Sequence, residues 1–261
     1  MISQDFICET PSSYAPKGEC LVGEEKPVSE NRELQERDIR IFQYLNEHKY
    51  LSNWELRNIF WPECSERAGA EIKRMQQLEV AGYVKKVSRE KTTQMLYLLR
   101  ERGLDALRER GLDHGFPEVK DFNMDEVEHT LRLVRIRTLF EELGAKDWKT
   151  ERVLRKEEST RRWYPDAVFT HAGKRFGVEY ENTFREKSKY ETKFRWYEED
   201  RSFYMIFYII NWPYVKTWLM DFLEIQGIIG FLVWNDFVTA KKDAVVENKT
   251  ARLKLEAFFR C

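Results

Sequence analysis

The 261-residue sequence is poor in the features that mark membrane-spanning or disulfide-stabilised proteins. It has four cysteines, at positions 8, 20, 64 and 261, without a Cys-x-x-Cys pair or a nearby histidine pair, so we expect reduced thiols and no structural zinc. It has no run of about eighteen apolar residues, which argues against a transmembrane helix. Its first residues do not combine a basic segment with an apolar one, so we expect no signal peptide and a cytoplasmic protein.

A net charge of one sign is also missing, because 44 basic residues are balanced by 45 acidic ones. This balance argues against a protein that coats nucleic acid through bulk charge, but it leaves room for local basic patches. The sequence does contain 42% hydrophobic and 14% aromatic residues, enough for a folded chain with two modest domains.

Helical and strand patterns divide the sequence into an N-terminal tail and two predicted domains. Residues 1–30 mix Pro, Ser, Gly and Glu without apolar periodicity and are predicted to be a flexible tail. Residues 31–112 are predicted to form three helices, two strands and one more helix, with Ser52 capping the second helix and Ser65 opening the third. Three helices followed by a two-stranded wing are typical of a winged helix-turn-helix domain.

A predicted linker at 113–124 leads into the second predicted domain, residues 125–261. The hydrophobic pattern of this domain predicts a mixed sheet covered by helices. The predicted order is helix 125–143, strands 149–157, 162–170 and 174–181, helix 184–200, strand 203–210, helix 213–226, strand 228–234 and helix 248–260. The expected fold class is therefore α+β or α/β with two domains, a winged helix followed by a mixed-sheet domain.

Basic residues cluster on the predicted third helix and wing of the first domain. Seven basic residues and four acidic ones lie between positions 65 and 91, an excess that suits contacts with DNA phosphates. The predicted DNA-binding residues are Arg67, Lys73, Arg74, Lys85, Lys86, Arg89 and Lys91. The alternative is a solvated charged face, or a winged helix that serves protein contact or dimerisation.

Three acidic residues lie on two neighbouring predicted strands of the second domain. Glu179 and Glu181 point the same way because side chains alternate faces along a strand, and their Cα atoms are expected roughly 6.5–7 Å apart. If the two strands pair as a hairpin through a turn at residues 171–173, Asp166 joins these acids on the same face. Asp166, Glu179 and Glu181 are therefore the predicted catalytic residues and ligands of Mg²⁺ or Mn²⁺, which prefer such oxygens. The alternative is a set of unrelated surface acids.

Pro165-Asp166, followed by Glu179-Tyr180-Glu181, resembles the signature of the PD-(D/E)XK nucleases, which pairs an Asp strand with a Glu-x-Lys strand. The predicted order of helices and strands is also the one that this superfamily uses. The sequence departs from the signature at Glu181, where lysine is usual, although some members with this fold carry Glu there. The resemblance implies a restriction-endonuclease-like domain that hydrolyses phosphodiesters with a divalent metal.

Residues 34–200 also resemble the replication-relaxation family of plasmid and mobile-element proteins, which joins a winged helix to a domain of this kind. The matching residues are Arg37-Asp38, Tyr97-Leu98-Leu99, Gly103, His129, Trp148, Glu151, Pro165-Asp166-Ala167, the segment from Val178 to Thr183 and the segment from Lys193 to Tyr197. This resemblance implies a role in the replication or transfer of mobile DNA.

Thr183-Phe184-Arg185-Glu186 has the pattern of a capping box, which predicts that a helix begins at Thr183. The helix presents Lys187, Lys189 and Lys193, and one of them is expected to replace the missing strand lysine as a catalytic residue. The family pattern favours Lys193, whereas geometry alone equally allows Lys187. An exposed helix charge is the alternative for each.

Four other residues are weaker candidates for the same site. Glu128 and Glu151 are candidate accessory acids, although an ion pair with Arg132 explains Glu128 equally well. His129 and His171 are candidate metal ligands or bases, but a lone histidine is more often structural or exposed.

Aromatic residues are frequent between positions 194 and 218. Alternation along 203–210 makes core packing the explanation for most of them. Trp212 and Tyr214, beside Pro213, are candidates for stacking on unpaired bases.

These patterns together predict a DNA-binding, metal-dependent endonuclease that nicks or cuts DNA in the replication or transfer of a mobile element. The alternative is a DNA-binding accessory or regulator without catalysis, in which the nuclease-like domain serves as a scaffold. The expected partner is double-stranded DNA, with a homodimer left open. We expect no membrane association and no small-molecule cofactor.

Overall fold

Helices and strands alternate along the chain in the computed structural model, which describes residues 33–62, 69–88, 95–120, 124–222 and 227–260. The predicted tail and all four cysteines lie outside these residues, as do three of the predicted DNA contacts, Arg67, Arg89 and Lys91. Residues 34–261 form one compact unit.

The N-terminal part of this unit is mainly helical and carries a small antiparallel sheet. Its elements are α1 (Glu36–His48), β1 (Tyr50–Ser52), α2 (Asn53–Phe60), α3 (Ala70–Val80), β2 (Val84–Ser88), β3 (Met95–Leu99) and α4 (Glu101–Arg108). β3 lies between β1 and β2 in the sheet. Ser52 caps α2 as predicted, because its hydroxyl accepts the Trp54 backbone N–H at 3.1 Å.

Two details of this part differ from the sequence prediction. The helical spacing of Trp54, Leu56 and Ile59 predicts that all three are buried, and this prediction was wrong for Trp54. Its side chain is exposed, and its ring centroid lies 3.8 Å from the Arg135 guanidinium carbon. The strand β1 was not predicted, because three residues are too few to show a period. The predicted start of the third helix at Ser65 lies outside the described residues.

The remainder of the unit is a mixed sheet with helices on both faces. Its elements are α5 (Met124–Glu142), β4 (Lys146–Thr150), α6 (Glu151–Glu157), β5 (Ala167–His171), β6 (Lys174–Glu181), α7 (Lys187–Glu199), β7 (Met205–Ile210), α8 (Pro213–Phe222), β8 (Ile229–Val233), α9 (Trp234–Ala240), β9 (Val245–Glu247) and β10 (Arg252–Lys254). A short 3₁₀ turn follows at Leu255–Phe258.

The strands are arranged in the order β10-β9-β8-β7-β6-β5-β4. The central strands β6, β7 and β8 are parallel, and the pairings outside them are antiparallel. One face of the sheet packs against α5 and α9, and the other against α7 and α8. This arrangement confirms the coarse expectation of a mixed α and β protein with a helical N-terminal part and a mixed sheet.

Three predicted elements of this region were wrong. The expected strand 149–157 ends at Thr150 and continues as α6, because Glu151–Glu157 is rich in good helix formers. The expected helix 248–260 is instead a hairpin strand and a 3₁₀ turn, since Asn248 accepts backbone N–H groups of Thr250 and Ala251 and turns the chain. The helix expected from Thr183 begins at Lys187.

The long helix α5 connects the N-terminal part to the sheet. Arg135 on this helix forms an ion pair with buried Glu55 at 2.8 Å. Arg137 contacts Glu47 at 2.6 Å and Glu141 at 2.7 Å. The contacts with Glu55 and Glu47 join residues that are 80 and 90 positions apart in sequence, so α5 holds the two parts at a defined position.

Candidate active site

The two-residue turn between β5 and β6 brings the predicted acids together. His171 pairs with Lys174, and the intervening Ala172 and Gly173 both have positive φ, as a tight hairpin requires. The hairpin predicted from the sequence is thereby confirmed. Because Ala167 pairs with Val178 in this register, Asp166 lies opposite Glu179, immediately before β5 begins.

Glu179 is the most deeply buried of the three acids, with only 2% of its surface exposed. Its Oε2 atom accepts a hydrogen bond from the Lys193 ammonium at 2.5 Å, and its Oε1 atom accepts one from the Tyr197 hydroxyl. Burial and the charge of Asp166 raise the pKa of Glu179 to about 7, although Lys193 and Tyr197 act in the opposite direction. A buried carboxyl is therefore held close to its ionisation point near neutral pH.

We call Asp166, Glu179 and Glu181 the acidic group. Asp166 is its most exposed member and is still largely buried. Its Oδ2 atom accepts the Tyr180 backbone N–H at 2.8 Å and lies 3.3 Å from His129 Nε2. Burial alone would raise the pKa of Asp166, but His129 and Lys193 hold it below its usual value. Burial would likewise lower the pKa of His129, yet the Asp166 and Glu179 carboxylates raise it to about 9. His129, a weaker candidate from the sequence, is therefore a direct partner of Asp166.

Glu181 lies on the same face of β6 as Glu179, as strand alternation predicts, but it has a different set of partners. Its carboxylate accepts hydrogen bonds from Thr183 and from the Tyr208 hydroxyl, each at 3.2 Å, and lies 3.3 Å from Arg185 Nε. Thr183 therefore contacts Glu181 instead of capping a helix. Glu181 therefore shares neither the His129 contact of Asp166 nor the Lys193 contact of Glu179.

The helix α7 supplies the lysine that the strand lacks. Lys193 contacts Glu179, whereas Lys187 is exposed and lies 3.6 Å from Glu191 on its own helix. Burial would lower the pKa of Lys193, but Glu179 and Asp166 raise it, so its ammonium stays charged. Of the two lysines that sequence geometry allowed, Lys193 is therefore the one at the acidic group.

The acidic group opens onto two clefts. Asp166 and His129 line a cleft of about 380 Å³, together with Lys49, Glu151 and Arg152. The second cleft, of about 490 Å³, is lined by Glu181, Lys193, Arg185, Lys189 and Tyr208. The group therefore borders one cleft at Asp166 and a second cleft at Glu181 and Lys193.

Several contact residues were missed or only weakly signalled by the sequence. Tyr197 lies one helical turn after Lys193, so both reach Glu179 from the same face of α7. Tyr208 pairs with Glu179 in the parallel register of β6 and β7 and contacts Glu181. A helical period would have associated Tyr197 with Lys193, but only the strand register brings Tyr208 to the acids.

The other weak candidates lie apart from the acidic group or pair with neighbours. Glu128 is exposed and lies 3.5 Å from Arg132, the helical ion pair already considered. Glu151 forms an ion pair with Arg155 at the first cleft. The ring nitrogens of His171 lie 3.0 Å from the Gly144 carbonyl oxygen and 3.2 Å from the Phe259 carbonyl oxygen, which makes this histidine structural.

The predicted DNA contacts of the N-terminal part have different surroundings. Lys73 on α3 and Lys85 on β2 are exposed, and Lys86 is half-buried. Arg74 instead forms a two-point contact with the buried Asp38 of α1, through its Nε atom at 3.0 Å and through a terminal nitrogen. Its guanidinium therefore ties α3 to α1 and is less available to a phosphate.

A divalent metal needs several donor atoms around one point. In the part of the chain that the structure describes, no three His, Cys, Asp or Glu residues are grouped so as to hold a metal ion. Mg²⁺ usually keeps several waters and binds through one or two carboxylates, and each carboxylate oxygen has two lone pairs. Asp166 and Glu179, opposite each other on neighbouring strands, are two carboxylates of the kind that Mg²⁺ or Mn²⁺ binds. Their oxygens already contact donors of the protein, namely His129, the Tyr180 backbone N–H, Lys193 and Tyr197.

None of the helices within the described ranges is long and apolar enough to cross a membrane. Comparisons with protein-family models, with curated proteins and with solved structures found no match.

Proposed function

We propose that this protein is a metal-dependent DNA phosphodiesterase that nicks or cuts DNA. The observation that carries the proposal is the meeting of Asp166, Glu179 and Lys193, an acid pair on neighbouring strands with a lysine bound to one of them. Two acids and a lysine are the residue types of the PD-(D/E)XK signature, with the lysine supplied by a helix instead of the strand.

The order of elements around this group supports the same proposal. α5 is followed by the antiparallel strands β4, β5 and β6, then by α7 and the parallel strand β7. This order resembles the αβββαβ order of the PD-(D/E)XK core, apart from the short helix α6 between the first two strands. The proposal therefore uses both the local residues and the topology that positions them.

The N-terminal part supports DNA as the substrate. The three helices α1, α2 and α3 and the small antiparallel sheet β1-β3-β2 resemble a winged helix, and this resemblance supports the proposal. The exposed Lys73 on α3 and Lys85 on β2 lie on the elements that meet DNA in such domains. The proposed role of this part is to hold the duplex while the acidic group acts on its backbone. The resemblance to the replication-relaxation family suggests mobile DNA as the biological substrate.

Each residue of the proposed site has a chemical task. Asp166 and Glu179 would hold the metal, which when bound orients the phosphodiester and lowers the pKa of water. His129 keeps Asp166 oriented through the 3.3 Å contact. Lys193 stays charged beside Glu179, where its ammonium stabilises the negative charge that develops on the phosphate. Glu181, the third predicted ligand, orients Arg185 at the second cleft.

A second function, DNA binding without catalysis, is favoured by one specific observation. Each of the three acids already has a cation from the protein: His129 at Asp166, Lys193 at Glu179 and Arg185 at Glu181. The group is therefore close to neutral without a metal. In this case the sheet would be a scaffold for a DNA-binding accessory or regulator.

Plasmid nicking separates the two functions. Supercoiled plasmid is incubated with Mg²⁺ or Mn²⁺ and either the wild-type protein, Asp166→Asn, Glu179→Gln or the control Glu142→Ala, which removes an exposed acid paired with Lys241. Nicking by the wild type and the control, lost in both site variants while circular dichroism shows intact folding, supports the nuclease. DNA binding without nicking under either metal rejects the nuclease and leaves the accessory.

A further inference from the structure

Two exposed aromatic side chains lie where the parallel strands end. Trp212 is 37% exposed and Tyr214 is 62% exposed, and their rings stack with centroids 6.3 Å apart and planes 28° from parallel. They follow the carboxyl end of β7. The neighbouring strand β6 ends at Glu181, whose carbonyl accepts the Asn211 backbone N–H at 3.2 Å. The pair is therefore next to the strand end that carries the acidic group.

The aromatic surface continues from this pair toward the acids. Tyr214 and Trp218 are four residues apart on α8, so they lie on the same face of the helix. The Trp218 ring contacts Phe184, with centroids 4.7 Å apart, and Phe184 is 54% exposed. We call Trp212, Tyr214, Trp218 and Phe184 the aromatic row. It ends beside Arg185, which lines the second cleft and contacts Glu181.

Core packing accounts for Trp218, whose ring contacts buried Tyr190, but not for the other three members of the row. Phe194, Tyr197, Phe207 and Tyr208, which lie between Phe184 and Trp212 in the sequence, are by contrast fully buried in the sheet and helix cores. Trp212, Tyr214 and Phe184 keep a large share of their ring surfaces in solvent. Their exposure costs free energy that burial would recover, so a ligand that covers the rings would be stabilised.

The charge beside the row favours a nucleic acid as that ligand. The exposed segment 184–189 carries three basic residues, Arg185, Lys187 and Lys189, and one acidic residue, Glu186. Aromatic rings next to cations are the combination that binds single strands, because bases stack on the rings while phosphates meet the cations. In a duplex the bases stack on one another, so their faces are not available to stack on the aromatic row.

We propose that the aromatic row binds unpaired bases of single-stranded DNA and leads that strand into the second cleft, beside Lys193. The direction into the cleft rests on the proposed nuclease function, whereas the stacking does not. The substrate class that follows is DNA with a single-stranded segment, such as a melted origin, a flap or a gap. The N-terminal part would hold the adjoining duplex.

The test measures binding without hydrolysis. A fluorescent oligothymidine of about twelve nucleotides, within the usual range of single-strand site sizes, is titrated in EDTA against the wild type and Trp212→Ala/Tyr214→Ala. The same proteins are titrated with a duplex of equal length. Each lost base stack weakens binding about fivefold to a hundredfold. We therefore expect the variant to bind the single strand at least about tenfold more weakly and the duplex unchanged.

Tyr204→Ala is the matched control, because Tyr204 is also half exposed but lies just before β7, at the opposite end of that strand. It should bind both oligonucleotides like the wild type, and Trp212→Phe in place of alanine should keep most of the affinity. Equal single-strand affinity of the double variant and the wild type would overturn the proposal. A wild-type protein that does not bind the single strand would also overturn it. A double variant that changes only the oligomeric state would overturn it too, because the row would then be a protein-contact surface.

Because EDTA prevents metal-dependent cleavage, this result does not depend on the nicking assay. Single-strand binding that requires the row, in a protein that never nicks DNA, would reject the nuclease and keep the stacking surface. Nicking by the wild type, with single-strand binding that does not depend on the aromatic row, would keep the nuclease and reject the stacking surface.

Discussion

At the scale of single residues, the contact between His129 and Asp166 links folding to pH. The pKa of His129 rises from 6.5 to about 9 on folding, so the folded protein binds this proton more tightly than the unfolded chain. A group with a raised pKa contributes stability that is complete below the unfolded value and is lost as pH rises through the folded value. The relevant window therefore runs from about pH 6.5 to about pH 9.

We predict that the free energy of unfolding in EDTA falls more steeply across this window in the wild type than in His129→Gln. The difference should be on the order of 1–3 kcal/mol, since about a third of the histidine side chain is exposed and solvent screens the pair. Urea unfolding at several pH values measures it. Parallel pH profiles for the two proteins would contradict the raised pKa.

Lys193 illustrates how a buried charge depends on its partner. In Lys193→Met the buried Glu179 loses its cation, and breaking a buried ion pair in this way costs about 3–5 kcal/mol. At pH 8 we predict a loss of unfolding free energy near the lower end of this range, because Glu179 can take up a proton and still has the Tyr197 hydroxyl as a partner. We also predict that the variant no longer nicks DNA. Lys187→Met, on the exposed face of the same helix, should cost less than about 0.5 kcal/mol. Chemical denaturation of both variants checks this, and equal losses would contradict the assigned role.

At the scale of elements, α3 carries two adjacent basic residues with different surroundings. Lys73 is exposed, whereas Arg74 contacts buried Asp38 on α1. A cation that meets a phosphate contributes to the salt dependence of DNA binding, since it releases a counterion. A cation held by an internal carboxylate contributes instead to the packing of the helices.

We predict that one alanine variant of this helix changes DNA binding and that the other changes stability. Lys73→Ala should weaken duplex binding and reduce the slope of log affinity against log salt by about one, without changing stability. Arg74→Ala should leave buried Asp38 unpaired and lower the free energy of unfolding by about 1–3 kcal/mol, with little change in the salt slope. Fluorescence anisotropy at several salt concentrations and urea unfolding separate the two. A reduced slope in Arg74→Ala alone would reverse the assignment.

The elements also show where sequence patterns succeed. The hairpin at Ala172-Gly173 and the shared face of Glu179 and Glu181 follow from local backbone geometry and strand alternation. The start of α7 does not follow from such local patterns. The capping box predicts that the Thr183 side chain caps the helix, but its hydroxyl donates a hydrogen bond to the Glu181 carboxylate instead. The strand expected at 149–157 failed because residues after Thr150 favour a helix, and an apolar pair such as Val153 and Leu154 suits either structure.

At the scale of the whole molecule, α5 couples the N-terminal part to the sheet through buried charges. Arg137 contacts Glu47 of α1 and Glu141 of its own helix, and the Tyr44 hydroxyl donates to Glu141 at 2.6 Å. Burial alone would raise the pKa of Glu47, but Arg137 and His114 hold it below its usual value. The Arg137 guanidinium therefore keeps buried Glu47 ionised at this junction.

We predict that the chain unfolds in one cooperative thermal transition and that Arg137→Met lowers its midpoint, because Glu47 is then buried without its main cation. The cost should be about 3–5 kcal/mol. Differential scanning calorimetry measures the transition, with Lys241→Met, which removes an exposed partner of Glu142, as the control. Two separate transitions in the wild type would show that the parts are not coupled through α5.

The sequence by itself determined the features that depend on near neighbours: the order of most helices and strands, the Ser52 cap, the hairpin, and two acids on one face of a strand. Tertiary structure decided that Lys193 and not Lys187 meets Glu179, that His129 meets Asp166 and that Arg74 turns inward to Asp38. It also decided that aromatic rings from α8 and from two loops form a row. The reason is physical. Backbone periods act over a few residues, whereas these contacts join side chains from elements whose relative placement is set by packing on both faces of one sheet.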